Sequence, residues 1–441
     1  MRVMLLTPGT GHFYCGSCLR DDALGRGLER LGHDVSVVPL YLPLQLEREQ
    51  PEAAVHMGGI NVYLQQKTRL ARFLPRFLTN LLDRPALLRW ASRRSNMTNA
   101  TELGPMTVSI LRGECGKQAL EVDKLVSWIA TQPKPDIVII SNAMLMGIVR
   151  RLRETIGCPI LVTLQGETPF LDVLPEDDGH AAWSALRERC AEVDGLIAVS
   201  QTYGDLMRER LQVPAERLHT VHNGIEIDDL QGELRPACER DPKTIGFLAR
   251  MCHDKGLDTL VDAFLLLKQR GSIGGLRLRI AGVQLPEDRA YVADLQARIA
   301  GQGRQNDVEF LPNIDRQDKV AFLQTLSVLS VPARYNESFG LYLLEAMAAG
   351  VPVVQPRHAA FPEILEATGG GLLCEPDSAS SLADVLFEAL TNDTLAQELG
   401  EQARRSIKSK FTAEHMAQRV ATICEQLAAP GAAEAPGNIA H

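Results

Sequence analysis

Two glutamates, Glu337 and Glu345, stand with seven residues between them in the run NESFGLYLLEAMAAGVPVV, 336–354. Within it 341–349 has helical spacing, Gly350 supplies a stop, and Gly340 permits close backbone approach at the start. Glu337 falls in a loop between a strand expected over 328–331 and this helix, so the helix amino end faces the strand's carboxyl end. Backbone N–H groups at such a helix start can receive hydroxyl or phosphate oxygens, and a carboxylate beside them can accept hydrogen bonds from sugar hydroxyls. Glu345, about one turn further in, can reach a vicinal diol such as a ribose. Taken alone, two such acids would be a solvated loop acid and a helix-surface charge.

A second segment, IGFLARMCHDKGLDTLVDAF, 245–264, supplies cations. Arg250 and Lys255 flank a short loop between a strand expected over 244–248 and a helix over 257–270. Both leave the strand's carboxyl end, where a diphosphate would meet them. A loop Arg and Lys alone are ordinarily just solvated; the Glu pair changes their meaning. In the first half, TPGTGHFYCGSCLRDDALGRGL, 7–28, places a glycine-rich turn before a helix without the dinucleotide fingerprint. His12, Cys15 and Cys18 offer only three soft ligands and lack a second Cys pair at zinc spacing, so they read as structural and no metal is expected. In LVTLQGETPF, 161–170, Gln165 follows a strand and Glu167 reads as a loop charge.

These residues need strands and helices to hold them. At 441 residues, 45% apolar and 23% charged, the chain is long enough for two ordinary hydrophobic cores. Strands expected over 2–6, 35–40, 137–140, 160–164, 196–199 and 218–221 alternate with helices over 17–31, 144–155 and 201–211. Near-continuous apolar runs suit strands buried on both faces of a parallel sheet. The alternation restarts after a polar, proline-containing stretch, with strands over 244–248, 276–281, 308–310, 328–331 and 351–354. The fold class is therefore α/β, with two Rossmann-like, doubly wound domains. The first covers 1–228, a linker 229–243 and the second domain 244–410; a helix over 411–428 would cross back to the first domain, before a flexible tail, 429–441.

The net charge of −9 argues against nucleic acid as a partner. The nine cysteines are scattered and odd in number, which fits a reducing cytoplasm. No stretch approaches the roughly 20 apolar residues of a membrane span. One segment departs from the acidic balance: 67–94 holds eight basic residues against one acidic, with apolar residues at helical spacing. It could lie on an anionic membrane as a basic amphipathic stretch, or pack on the first domain with a solvated basic face.

The spacing Glu-x7-Glu with Ser-Phe-Gly after the first acid resembles the signature of glycosyltransferase family 4 and of retaining GT-B enzymes more widely. Arg-x4-Lys-Gly is similar to that family's pyrophosphate motif, with Ala249 where a glycine is common, and HNGIEID, 222–228, resembles its domain-joining segment. The resemblance implies two Rossmann-like domains facing across a cleft. It implies Arg250 and Lys255 as the clamp on the departing UDP- or GDP-type nucleotide, with no divalent metal or other cofactor. It implies Glu337, Ser338, Phe339, Gly340 and Leu341 as the sugar cradle, Glu345 as ribose ligand, and Gly16 on the donor-facing loop of the first domain. Gln165 stands where family members often have a sugar-contacting His; its amide can still donate a hydrogen bond to the sugar, but it cannot titrate near neutral pH, which weakens a catalytic part for it. Transfer of a sugar with retention, to a glycan, lipid-linked or small-molecule acceptor, is the expectation. A non-catalytic nucleotide-sugar sensor is the alternative, and a sugar-nucleotide epimerase lacks support from the Ser-Phe-Gly cradle.

Overall fold

The computed structural model describes residues 1–9, 16–42, 66, 100–230, 236 and 239–429. It divides into two compact units, Met1–His222 with Ala413–His441, and Asn223–Thr412. The basic stretch 67–94, the glycine-rich turn from 10 to 15 and the tail from 430 lie outside the described residues.

In the first unit, β1 (Arg2–Thr7), β2 (Asp34–Pro39), β3 (Ile137–Ile140), β4 (Ile160–Leu164), β5 (Gly195–Ala198) and β6 (Leu218–Thr220) form one parallel sheet in the order β2-β1-β3-β4-β5-β6. Runs such as IVII and ILVTL are buried along their whole length because helices cover both faces. In-register pairs such as Leu5 with Ile139 seed a core that also takes in Leu24 and Leu28 of helix Gly16–Arg30 and Met416, Val420 and Cys424 of helix Ala413–Ala428. Burying each such Leu, Ile or Val contributes about 1.5–3 kcal/mol. The two helices touch closely at Gly27, where an added Cβ would sit 2.6 Å from that of Ala417.

In the second unit, β7 (Thr244–Leu248), β8 (Arg277–Gly282), β9 (Val308–Pro312), β10 (Val328–Leu329), β11 (Val353–Pro356) and β12 (Gly371–Cys374) make a parallel sheet ordered β12-β11-β10-β7-β8-β9. From β7 the chain first builds outward through β8 and β9, then returns to lay β10 on β7's other side. The order reverses between β7 and β10, the position at which open α/β sheets bind ligands beyond their strand ends. In the first unit the corresponding reversal lies between β1 and β3.

Two expectations are corrected. The stretch expected to end the first domain and form a linker lies in the second unit, which begins at Asn223. Ile225 N–H donates to the Phe411 carbonyl at 3.0 Å, and Arg240, 7% exposed, donates to the Leu323 carbonyl at 3.2 Å. Its polarity concealed an arginine satisfied by backbone carbonyls. The expected helix over 144–155 is a 3-10 turn, Ala143–Ile148, followed by α-helix Val149–Ile156. Asn142 caps the start by accepting from Met144 N–H at 2.7 Å.

Candidate functional site

The loops after β7 and β10 are pressed together by sequence features that allow little else. Gly256 has φ 68°, and a Cβ on it would lie 1.9 Å from the Pro332 carbonyl oxygen, so only glycine fits. Arg334 then ties the loops: its Nη1 and Nη2 donate to Asp258 at 2.7 and 2.9 Å, Nη2 reaches Thr259 and Nη1 the His253 carbonyl, each at 2.9 Å. This closure brings Lys255, in the turn His253–Lys255, onto Glu337 at 2.5 Å.

Glu337 Oε2 also accepts from the hydroxyls of Tyr335 at 3.0 Å and Tyr342 at 3.1 Å, and Lys255 Nζ lies 4.8 and 5.3 Å from the centres of those two rings. Burial pushes the Glu337 carboxyl up. The Lys255 charge and the hydrogen bonds from Lys255, Tyr335 and Tyr342 outweigh that push and hold it below the ordinary carboxylate value. All three donors converge on Oε2, and among the described residues none is recorded on Oε1. Ser338 and Phe339 are buried, and Gly340 turns the chain with φ 89° directly before helix Leu341–Ala348, whose first residue is Leu341. The Tyr342 ring folds back over Gly340, 3.2 Å from where a Cβ would stand.

Glu345, one turn along the same helix from Tyr342, accepts from Lys319 Nζ at 2.7 Å and Arg316 Nη1 at 3.3 Å. Arg316 holds Asp229 as well, at 2.6 Å. Both cations come from the first turn of helix Arg316–Gln324, which Asp315 caps by accepting from Asp318 N–H at 2.8 Å. Arg250 has different company from Lys255. Its Nε and Nη2 form a fork on Asp288, each at 2.9 Å at closest, and Nη2 meets Glu287 at 3.0 Å. The structure thus joins Lys255 to Glu337 and leaves Arg250 and Glu345 each with partners of their own, with Arg250, Lys255 and Glu337 on the loops and turn beyond the strands' carboxyl ends and Glu345 in the second turn of the helix that follows.

In the first unit, Gly16 opens helix Gly16–Arg30. Gln165 Nε2 donates to the Ser141 carbonyl at 2.5 Å and to Asp21 Oδ1 at 3.3 Å, so its amide is oriented by the residue after β3 and by the helix Gly16–Arg30. Asp21 is buried with Arg20, 3.2 Å away; burial raises its carboxyl against the pull of that cation. Glu167 is not a loop charge. It is 1% exposed, and its carboxylate accepts from the backbone N–H of Ala143, Gln165 and Gly166 at 3.1–3.2 Å and from the Tyr203 hydroxyl at 2.7 Å. A carboxylate is the side chain able to satisfy that many converging donors. Of His12, Cys15 and Cys18, only Cys18 lies among the described residues; it is buried, its Sγ 3.6 Å from Thr7 Oγ1.

Residues 22–224 match the glycosyl transferase 4-like domain family, and residues 235–406 match the glycosyl transferases group 1 family. The chain belongs to the group 1, family-4-like glycosyltransferases. As such it is similar to the N-acetyl-alpha-D-glucosaminyl L-malate synthase of Bacillus anthracis, at 37% identity over 25% of this chain and 29% of that one. It is also similar to the D-inositol 3-phosphate glycosyltransferase of Jonesia denitrificans, at 30% identity over 48% of this chain and 52% of that one. The chain thus spans about half the length of these relatives or less. Among solved structures, sucrose-phosphate synthase from Thermosynechococcus elongatus superposes with TM-score 0.69 at 18% identity, over 97% of this chain and 98% of that one. Anabaena HepE in complex with UDP and glucose gives 0.68 at 16% identity, over 97% and 100%. That likeness establishes the two-domain α/β GT-B fold of this family member.

Several residues of the site went unread in the sequence. Arg316 and Lys319 had a signal, an i, i+3 pair of cations opening a capped helix, but nothing local paired them with Glu345. Asp288 acquires its meaning only from the sheet order that places it beside Arg250, and Tyr335 and Tyr342, local to Glu337, meet Lys255 only through that order.

Proposed function

We propose that this protein is a retaining glycosyltransferase that moves a sugar from a nucleoside diphosphate to an acceptor hydroxyl without a divalent metal. The observation that carries the reading is the meeting of Lys255 with Glu337 at the β7/β10 reversal, beside Gly340 and the helix it opens. Lys255 and Arg250 neutralise the departing diphosphate, where negative charge grows as the glycosidic bond breaks. Glu337 Oε1 and the amides from Ser338 to Leu341 hold the sugar, and Glu345 takes the ribose diol. The acceptor oxygen bonds to the anomeric carbon on the face the diphosphate leaves. Its proton passes to a phosphate oxygen as the nucleoside diphosphate departs. A uridine donor is favoured by the UDP bound in the HepE structure, with GDP the alternative.

The same reading expects a cytoplasmic protein, with the stretch 67–94 either resting on anionic membrane or packing on the first domain; failure to float with anionic vesicles at low salt removes the first alternative. A thermal-shift screen of nucleotide sugars tests the donor, because a ligand at 100 times its Kd stabilises by about 2.7 kcal/mol. Slow hydrolysis of the stabilising donor is expected. A second reading, a sugar-nucleotide sensor, is favoured by Gln165, which cannot titrate and whose amide is committed to Ser141 and Asp21. Tight donor binding with neither hydrolysis nor transfer would select it.

A further inference from the structure

We propose that two adjacent acids divide the control of Arg250: Asp288 permanently aims its guanidinium, and Glu287 is a counterion that an incoming nucleoside diphosphate displaces. The inference rests on the reading of Arg250 as a diphosphate ligand.

It comes from the unequal hold of neighbouring carboxylates on one cation. The Asp288 side chain is 5% exposed and grips two nitrogens of the guanidinium edge, Nε and Nη2. Its Oδ2 also accepts from Leu285 N–H at 2.9 Å, so the carboxylate is fixed to its own turn, Pro286–Asp288. A planar fork held at two points has a set direction. Glu287 is 44% exposed and reaches Nη2 alone, at 3.0 Å. Water can replace that contact at little cost. Nη1 carries no recorded hydrogen bond among the described residues. A phosphate approaching this edge would find Glu287 as a competing like charge and Asp288 on the far, buried edge. Asp288 is thus a positioning residue, and Glu287 sets how readily the diphosphate enters and leaves.

The test uses the full chain and whichever of UDP, GDP, ADP and dTDP binds the wild type most tightly by calorimetry. Glu287→Gln should tighten binding roughly two- to fivefold, the range of an exposed ion pair. The gain should fade at 1 M salt, where the Debye length is about 3 Å. Asp288→Asn keeps an acceptor for Leu285 N–H but turns an amide N–H toward the guanidinium, and should weaken binding about tenfold, or about 1.4 kcal/mol. In an Arg250→Ala background Asp288→Asn should add nothing further, because it acts only through that side chain. Unchanged or weaker binding by Glu287→Gln overturns the inference, as does an additive loss in the double variant. If Asp288→Asn fails to fold, the Glu287→Gln result decides alone. Loss of binding in Arg250→Ala with no effect of Glu287→Gln removes this inference only; wild-type binding by Arg250→Ala removes the diphosphate role beneath it.

Discussion

Replacing Lys255 with methionine should turn Glu337 from an acid held below its ordinary pKa into one pushed above it, and the reversal can be read in stability against pH. In the native protein burial alone would raise this carboxyl from 4.5, and the cation with three hydrogen bonds reverses the balance. A depressed folded pKa contributes stability that is complete above the unfolded value and is lost as pH falls through the folded one. Across pH 5–8 the native contribution of Glu337 is therefore flat. Without Lys255, burial is opposed only by the Tyr335 and Tyr342 hydroxyls, and a raised folded pKa makes stability fall as pH rises above the unfolded value. Removing one partner of a buried pair costs about 3–5 kcal/mol. The two remaining phenol donors keep part of the compensation, and methionine refills the alkyl volume, which leaves about 2–3 kcal/mol at pH 7. At about 2–4 °C per kcal/mol for a unit of this size, the second unit's transition should drop by roughly 5–10 °C. Scanning calorimetry of both proteins from pH 5 to 8 should show the gap widening with pH. A gap constant over that range would refute the claim that Lys255 holds Glu337 charged.

Arg250→Ala should lower turnover about 10² to 10³-fold with native circular dichroism, the usual loss for one group that stabilises developing charge; near-normal turnover rejects the clamp. Gly340→Ala places a Cβ at φ 89° and 3.2 Å from the Tyr342 ring, so it should weaken donor binding in calorimetry through a displaced turn. The left-handed conformation alone costs about 1–2 kcal/mol. Glu167→Gln presents an amide N–H to a nest of donors and should destabilise the first unit by about 1–3 kcal/mol in urea unfolding, whereas an unchanged midpoint would mean that the loop does not need the charge.

Most of the fold was legible because parallel strands in an α/β sheet are buried on both faces and print as short apolar runs. IVII, ILVTL and TIGFL mark β3, β4 and β7, and the helix Leu257–Arg270 falls between Gly256 and Gly271, each in the left-handed conformation that ends or starts a helix. β12 was not expected. It begins at Gly371 after two other glycines, and three glycines in a row carry the signature of a turn. The division into units was displaced for a related reason: Ile225 and Arg240 attach to distant backbone groups, and no local pattern announces where a backbone hydrogen bond will end.

The site shows the same boundary between local and distant information more sharply. Glu337, Gly340 and Glu345 could be read together because one strand–loop–helix unit carries all three, with Gly340 dictated by a positive φ that few other residues tolerate. The pairing of Lys255 with Glu337 depends instead on β10 returning to β7, a fact of strand order spread over nearly half of a domain. Glu167 makes the point from the opposite direction. Its neighbours in sequence, Gly166 and Thr168, suggest an exposed turn, yet the donors that need its charge arrive from Ala143 and Tyr203 on other elements. A carboxylate surrounded by N–H and O–H groups is buried for the same reason that an isolated one is exposed: its charge must be satisfied. Sequence displays the acid, and topology decides which of the two states it takes.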